Sequence, residues 1–293
     1  MLLQQLVNGL VAGSVYALFA LGFNLVLGAL NILNIAQGAI FAASAFTAFY
    51  LIKDFSVPFP IALIAATVVG GLINMALEVI VFRPLRHRGG SGMSTLVASI
   101  GVSMVMLSVL QMVSGARIER FPFGTLPDTQ WILGGVRISF TQVIVLVTTV
   151  LTMAGTYYLL NSTKLGKAIR TIAYSERIGK MLGIPAEAVA RWTFFVSGAL
   201  GGLAGVLLGL MYNSVNFLMG EPYVLKGFAA IVIGGFGSVG GVIIASMMIG
   251  LAEVLSVVIG IGVYRDVVIF GMLFLFLIFR PNGLFGKDEE ARP

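Results

Sequence analysis

The sequence predicts an all-α integral membrane protein with about eight full transmembrane helices and one short or discontinuous segment. Three observations carry that expectation. The 293 residues are 58% hydrophobic and 10% charged, with a mean hydropathy of +1.02, whereas soluble domains carry about 25% charged residues. Apolar runs of about 20 residues, the length that crosses a bilayer core, recur along the chain. The polar residues between them are concentrated, above all in the stretch 162–191.

The apolar runs fall at 5–29, 36–52 (a short one), 59–82, 94–114 and 137–160, then at 191–212, 238–260 and 263–280. A further short segment, 224–236, ends in glycines and either crosses or turns back. One membrane domain, 1–293, accounts for this length, leaving no soluble unit large enough for an active site. The first run is too long for a cleavable signal peptide and has no basic residue before it.

The stretch 162–191 carries Lys164, Lys167, Arg170, Arg177, Lys180 and Arg191 against only Glu176 and Glu187. Such an excess marks a cytoplasmic loop. Placing it inside puts twelve Lys or Arg on that side, including Arg83, Arg86, Arg88, Arg280, Lys287 and Arg292. Six remain outside: Lys53, Arg117, Arg120, Arg137, Lys226 and Arg265, offset by Asp54, Glu119, Asp128, Glu221 and Asp266. The N-terminus is then external and the C-terminus cytoplasmic. The basic face suits anionic lipid; nothing calls for nucleic acid.

The same stretch is patterned as helix. Ser162 or Thr163 suits an N-cap. Lys164, Lys167 and Arg170 share one face, with Leu165, Ile169 and Ile172 beside it. Ser175 starts a second short helix, with Glu176 at its positive end. Gly183, with Pro185 after it, is a stop. From the residues alone this is either a solvated topology signal or a docking surface for a soluble partner.

The segments 166–170 (GKAIR), 174–176 (YSE) and 181–184 (MLGI) resemble the cytoplasmic loop of the branched-chain amino acid permeases of ABC importers, the LivH type, and the resemblance extends from Asn8 to Phe285. It implies that 162–190 is a coupling loop for an ATPase, carried by Lys164, Gly166, Lys167, Arg170, Glu176, Met181, Gly183 and Ile184. It implies a second related permease, two cytoplasmic ATP-binding subunits, a periplasmic substrate-binding protein and a small amino-acid substrate. The location it implies is a bacterial inner membrane. ATP and Mg belong to the partner subunits: the chain has no Gly-rich loop ending in Lys and Ser/Thr, and no cofactor of its own is expected.

Two stretches break the apolar pattern inside the membrane. Asn31, Asn34 and Gln37 are carboxamides that need partners in other helices, a cavity or a helix break. Gly234, Gly235, Gly237, Ser238 and Gly240, with Gly241, make a poor helix interior. Broken helices near the midplane are where transporters place their pathways, so both stretches are candidate pathway linings; a tight turn is the other reading of the glycines. The octapeptides 37–44 and 239–246 form a candidate internal repeat. Gly201, Gly205 and Gly209, like Gly9, Gly13 and Ala17, recur at the spacing of close helix packing.

Two acids sit in apolar surroundings. Glu78 follows Gly70 and Asn74 on one stripe and is expected to pair with Arg83, a turn away; Glu253 has no partner legible in the sequence. Either is a candidate proton site, which sustains the alternative of a stand-alone ion-coupled carrier. A permease for urea or short amides is a second alternative. An enzyme fares worst, with no Cys and the single His87 among arginines. The aromatics of the loop 115–136, such as Phe121, Phe123 and Trp131, suit a membrane interface, and the family implies a binding-protein contact there.

Overall fold

The computed structural model describes residues 2–127, 129–133, 135–280 and 282–285; Asp128, Lys287 and Arg292 lie outside them. The helices are α1 (Leu2–Leu30), α2 (Gln37–Lys53), α3 (Phe59–Leu77), α4 (Arg83–His87), α5 (Gly92–Ser114), α6 (Phe140–Ser162), α7 (Lys164–Tyr174), α8 (Glu176–Met181), α9 (Ala186–Tyr212), α10 (Glu221–Gly234), α11 (Val239–Val258) and α12 (Arg265–Phe279). A five-residue π-helix, Glu78–Phe82, joins α3 to α4. Pro84 explains its position: it has no N–H for the Ile80 carbonyl and its ring would clash there, and the wider π turn relieves both.

Among the described residues seven helices are long and apolar enough to cross a membrane, one fewer than the eight full crossings expected. The shortfall is the run 36–52. Asn31 takes the left-handed conformation, φ 55, the chain runs without helix to Ala36, and α2 begins only at Gln37. Its 17 residues make about 25 Å of helix, short of the ~30 Å hydrocarbon core. The 14 residues of α10 make about 21 Å. Both short helices are heavily buried and abut: a Cβ on Gly220, before α10, would fall inside contact with the Gly38 carbonyl of α2. The octapeptides 37–44 and 239–246 each open a helix, α2 and α11.

The centre is α1, buried around its whole circumference from Val11 to Val26, as an all-round apolar helix must be. It lies against α9, α10 and α11. Phe19, Phe41 and Tyr223 interlock α1, α2 and α10, with centroids 5.6 and 5.3 Å apart. Gly9 and Gly13 bring α1 against the Gly250 and Ser246 carbonyls of α11. Gly201 meets the Gln37 side chain, Gly205 the Phe41 carbonyl, and Gly209 the side chains of Val215 and Phe121.

One end of the bundle carries α4, α7 and α8. The other carries the loop 115–139, where β1 (Gln130–Leu133) and β2 (Val136–Ser139) form an antiparallel hairpin, an exception to the all-α expectation. Its alternation is only four residues per strand, too short to stand out among interfacial aromatics. Gln4 secures it, accepting from the Arg137 N–H at 2.7 Å and donating to the Arg137 carbonyl at 2.8 Å. At the same end Lys53 pairs with Glu119 at 3.5 Å.

Gly205→Val forces a branched side chain into backbone and should destabilise the protein by about 1–3 kcal/mol. Gly155→Ala, into open space on α6, should be neutral or stabilise by up to about 1 kcal/mol. Thermal unfolding in detergent separates the two.

Candidate functional site

The basic segment folds into two capped helices. Thr163 accepts the Gly166 N–H at 3.1 Å to start α7, and Ser175 accepts the Ile178 N–H at 3.4 Å to start α8. Gly183, at φ 74, ends the pair, and Ile184 N–H returns to the Gly179 carbonyl at 2.9 Å. Ile169, Ile172 and Gly166 face inward, Gly166 against the last carbonyls of α6. Lys164, Lys167, Arg170, Glu176, Met181 and Gly183 are exposed. Glu176 pairs with Lys180 at 2.7 Å. The tip of α8 presents Ile178, Met181 and Leu182 to solvent beside these charges.

Behind the tip lies an open cavity of about 1880 Å³, walled by the last turn of α1, α4, the α7–α8 segment, the start of α9 and the turn after α10. It brings together Asn31 from the first break, Gly237 and Ser238 from the glycine cluster, and Glu176, Gly183 and Ile184 from the basic segment. The other candidate pathway residues are not in its wall.

The glycine cluster forms the turn from α10 to α11. Gly235 and Gly237 have φ of 97 and 75, and Gly234 lies against the Gly241 backbone, where a Cβ would not fit. Ser238 caps α11 through the Gly241 N–H at 3.1 Å; Gly240 faces open space. The turn is held from both sides. Asn24 of α1 accepts the Gly237 N–H at 3.0 Å, and the backbone N–H groups of Leu284 and Phe285 donate to the Ile233 and Gly234 carbonyls at 2.8 and 3.2 Å.

Asn34 and Gln37 are buried in a carboxamide network instead. Asn34 donates to Asn74 at 2.9 Å, Asn74 donates to the Phe194 carbonyl at 2.8 Å, and Gln37 donates to the Ser197 carbonyl at 2.8 Å. This ties the chain before α2 to α3 and α9.

Two charges have partners that the sequence did not show. Lys226 is not a solvated loop charge: it is 6% exposed and bonds Glu253 at 2.8 Å. Tyr16 donates to the other Glu253 oxygen at 2.6 Å, Arg265 stands 3.6 Å away, and the ammonium sits over the rings of Tyr16 and Tyr223. A short, buried α10 carries its lysine inward, where only a paired charge is tolerable. Glu78 pairs with Arg86 rather than Arg83. The π segment turns Glu78 into the bundle, and Arg83 is taken by Glu187 of α9.

The sequence reading missed Asn24, Asn74 and Lys226 as partners. Each was visible as a lone polar residue in an apolar run, but their contacts join helices 27 to 213 positions apart. Among the described residues no group of His, Asp or Glu is arranged to hold a metal ion.

Lys226→Met leaves Glu253 buried without its ammonium and should cost about 3–5 kcal/mol. The double change with Glu253→Met should recover most of that loss. Unfolding midpoints of the three variants read both effects.

Residues 5–277 match the family described as "Branched-chain amino acid transport system / permease component". The chain is 34% identical to the high-affinity branched-chain amino acid transport system permease protein BraD of Pseudomonas aeruginosa, covering 99% of this chain and 97% of that protein. It is 31% identical to the LivH permease protein of Salmonella typhimurium, with the same coverage. A solved structure, PsaBC from Streptococcus pneumoniae in complex with Fab, matches with a TM-score of 0.54 at 14% identity, over 97% of this chain and 93% of that one. At that identity the likeness concerns the fold alone.

Proposed function

The chain belongs to the branched-chain amino acid permease family, and from that premise we propose that it is the multi-pass membrane subunit of a binding-protein-dependent ABC importer that moves branched-chain amino acids inward. In this reading the whole chain is one permease domain, and 162–190 is its cytoplasmic coupling loop. A second related permease, two ATP-binding subunits and an external binding protein complete the assembly, in a bacterial inner membrane. ATP and Mg act in the partner chains; this subunit does no chemistry. The N-terminus is external and the C-terminus cytoplasmic, in keeping with the basic residues gathered at the α4–α7–α8 end.

The observation that carries the reading is the shared cavity. The exposed, capped α7–α8 pair abuts the same space as Asn31, Gly237 and Ser238, so a partner gripping α8 would act directly on both breaks in the bundle. Work enters as a difference in partner affinity between two arrangements of the permease. Gly234, Gly235 and Gly240 belong to the same turn and would move with it. Asn34 and Gln37 would set where α2 begins, and the Gly201–Gly205–Gly209 row would keep α9 close to α2. The ion-coupled carrier has less support: it needs a carboxylate free to exchange a proton, and Glu253 and Glu78 are both held in ion pairs.

The test is leucine uptake and ATP hydrolysis by the assembled complex in proteoliposomes. Changing Lys164, Lys167, Arg170 and Glu176 together to Ala alters only exposed side chains, so the fold should persist. Uptake should fall at least about tenfold while hydrolysis becomes independent of the binding protein. Normal uptake by this variant would end the coupling assignment. Gly237→Val, at φ 75, should block uptake without dissociating the complex, and wild-type uptake would return the cluster to a passive turn.

A further inference from the structure

At the junction of the π segment, α4 and α9, two complementary buried atoms have no partner: Glu78 Oε2 and Arg191 Nε. Glu78 is fully buried, and its other oxygen accepts from Arg86. The cations acting on Glu78 are Arg86, Arg83 and Arg191. Arg83 is occupied by Glu187, which His87 also meets at 3.1 Å. Among the described residues Arg191 has no ion pair.

Glu187 and Arg191 lie four residues apart in the first turns of α9, so they move together. Only residues 182–185 separate those turns from α8. A displacement of α8 is therefore passed along this short link to Glu187 and Arg191. Glu78 ends α3, the helix that lies along α9 and α2. It sits at the start of a π-helix, a local form in which backbone hydrogen-bond register differs from the flanking helix. Arg86 and Arg191 both line the cavity, so either can turn toward open space when released.

We propose that Glu78 is the receiving group of an ion-pair exchange. When the coupling loop shifts α9, Arg191 engages the open Glu78 oxygen and Arg86 leaves Glu78 for the cavity. Glu187 keeps its hold on Arg83 throughout, so the first turn of α9 stays fastened to α4 while the grip on α3 changes hands. Glu78 and Arg191 touch no substrate; they are positioning residues that pass loop movement to α3. This rests on the reading of 162–190 as a coupling loop.

The primary variant is Arg191→Gln, because it leaves every ion pair named above intact. In proteoliposomes with the ATP-binding subunits and binding protein, three quantities are read: unfolding midpoint, ATP hydrolysis, and leucine moved per ATP. The midpoint and hydrolysis should match wild type, while leucine per ATP falls about tenfold. Arg191→Lys, which keeps the charge, should recover part of it. Glu78→Gln also removes the Arg86 pair, so the double variant with Arg191→Gln should lose less than the product of the two single effects, since the exchange contact is common to both. Wild-type coupling in Arg191→Gln overturns the proposal, as does a loss that merely follows a lowered midpoint, or one that Glu78→Gln deepens by its full separate effect. A wild-type assembly with no ATP-dependent uptake is a different failure. It removes the importer reading, and this inference with it.

Discussion

The rest of the structure depends on one constraint: inside hydrocarbon every freed backbone or side-chain polar group must be answered by the protein itself. The bundle interrupts two helices and then answers the interruptions from neighbours. Between α1 and α2, Ser99 of α5 accepts the Ile35 N–H at 3.2 Å and donates to the Leu33 carbonyl at 3.2 Å. Asn34 and Gln37 close on Asn74 and on the carbonyl of Ser197. After α10, Asn24 and the backbone of Leu284 and Phe285 hold the glycine turn. Most contacts between these helices are apolar, but these few polar ones determine where the breaks fall.

The same constraint governs the charges. Glu253 and Lys226 are kept inside because each is the other's counter-ion, and Tyr16 and Arg265 complete the coordination of the carboxylate. The result joins α1, α10, α11 and α12 near the hairpin end. At the opposite end a looser set of arginines and glutamates joins α4 to α9 around an open cavity. One end is thus closed by a largely buried, paired cluster, and the other carries a set bordering an open cavity, with unpaired groups beside the basic helices. That asymmetry suits a bundle worked from one end.

Local patterns were legible in the sequence and distant pairings were not. Thr163, Ser175 and Gly183 each act within four residues, so the α7–α8 pair could be read directly, including both caps and the stop. Most of the transmembrane helices followed from apolar length alone. The start of α2 could not: a carboxamide such as Gln37 signals a need for a partner, not the residue at which helix begins. Lys226 looked like a solvated charge because charge counting places a basic residue in a loop, and its partner lies 27 positions away on another helix. Arg83 was the nearer cation to Glu78 in a regular helix, and the π turn altered that register. The two breaks were each visible as a cluster, but only the fold places Asn31 and Gly237 on one cavity wall with Glu176.

The central claim is that the tip of α8 is where a cytoplasmic ATP-binding subunit holds this protein. The chain contains no Cys, so a single Met181→Cys puts one thiol on that tip, where Met181 is 73% exposed; Val263→Cys puts one at the far end, where Val263 is 92% exposed. Each variant would be treated in native membranes with a short thiol-to-amine cross-linker and the product identified by mass. The account predicts a product joining Met181→Cys to an ATP-binding subunit, and no such product from Val263→Cys. An ATP-binding subunit captured by Val263→Cys and not by Met181→Cys would contradict it.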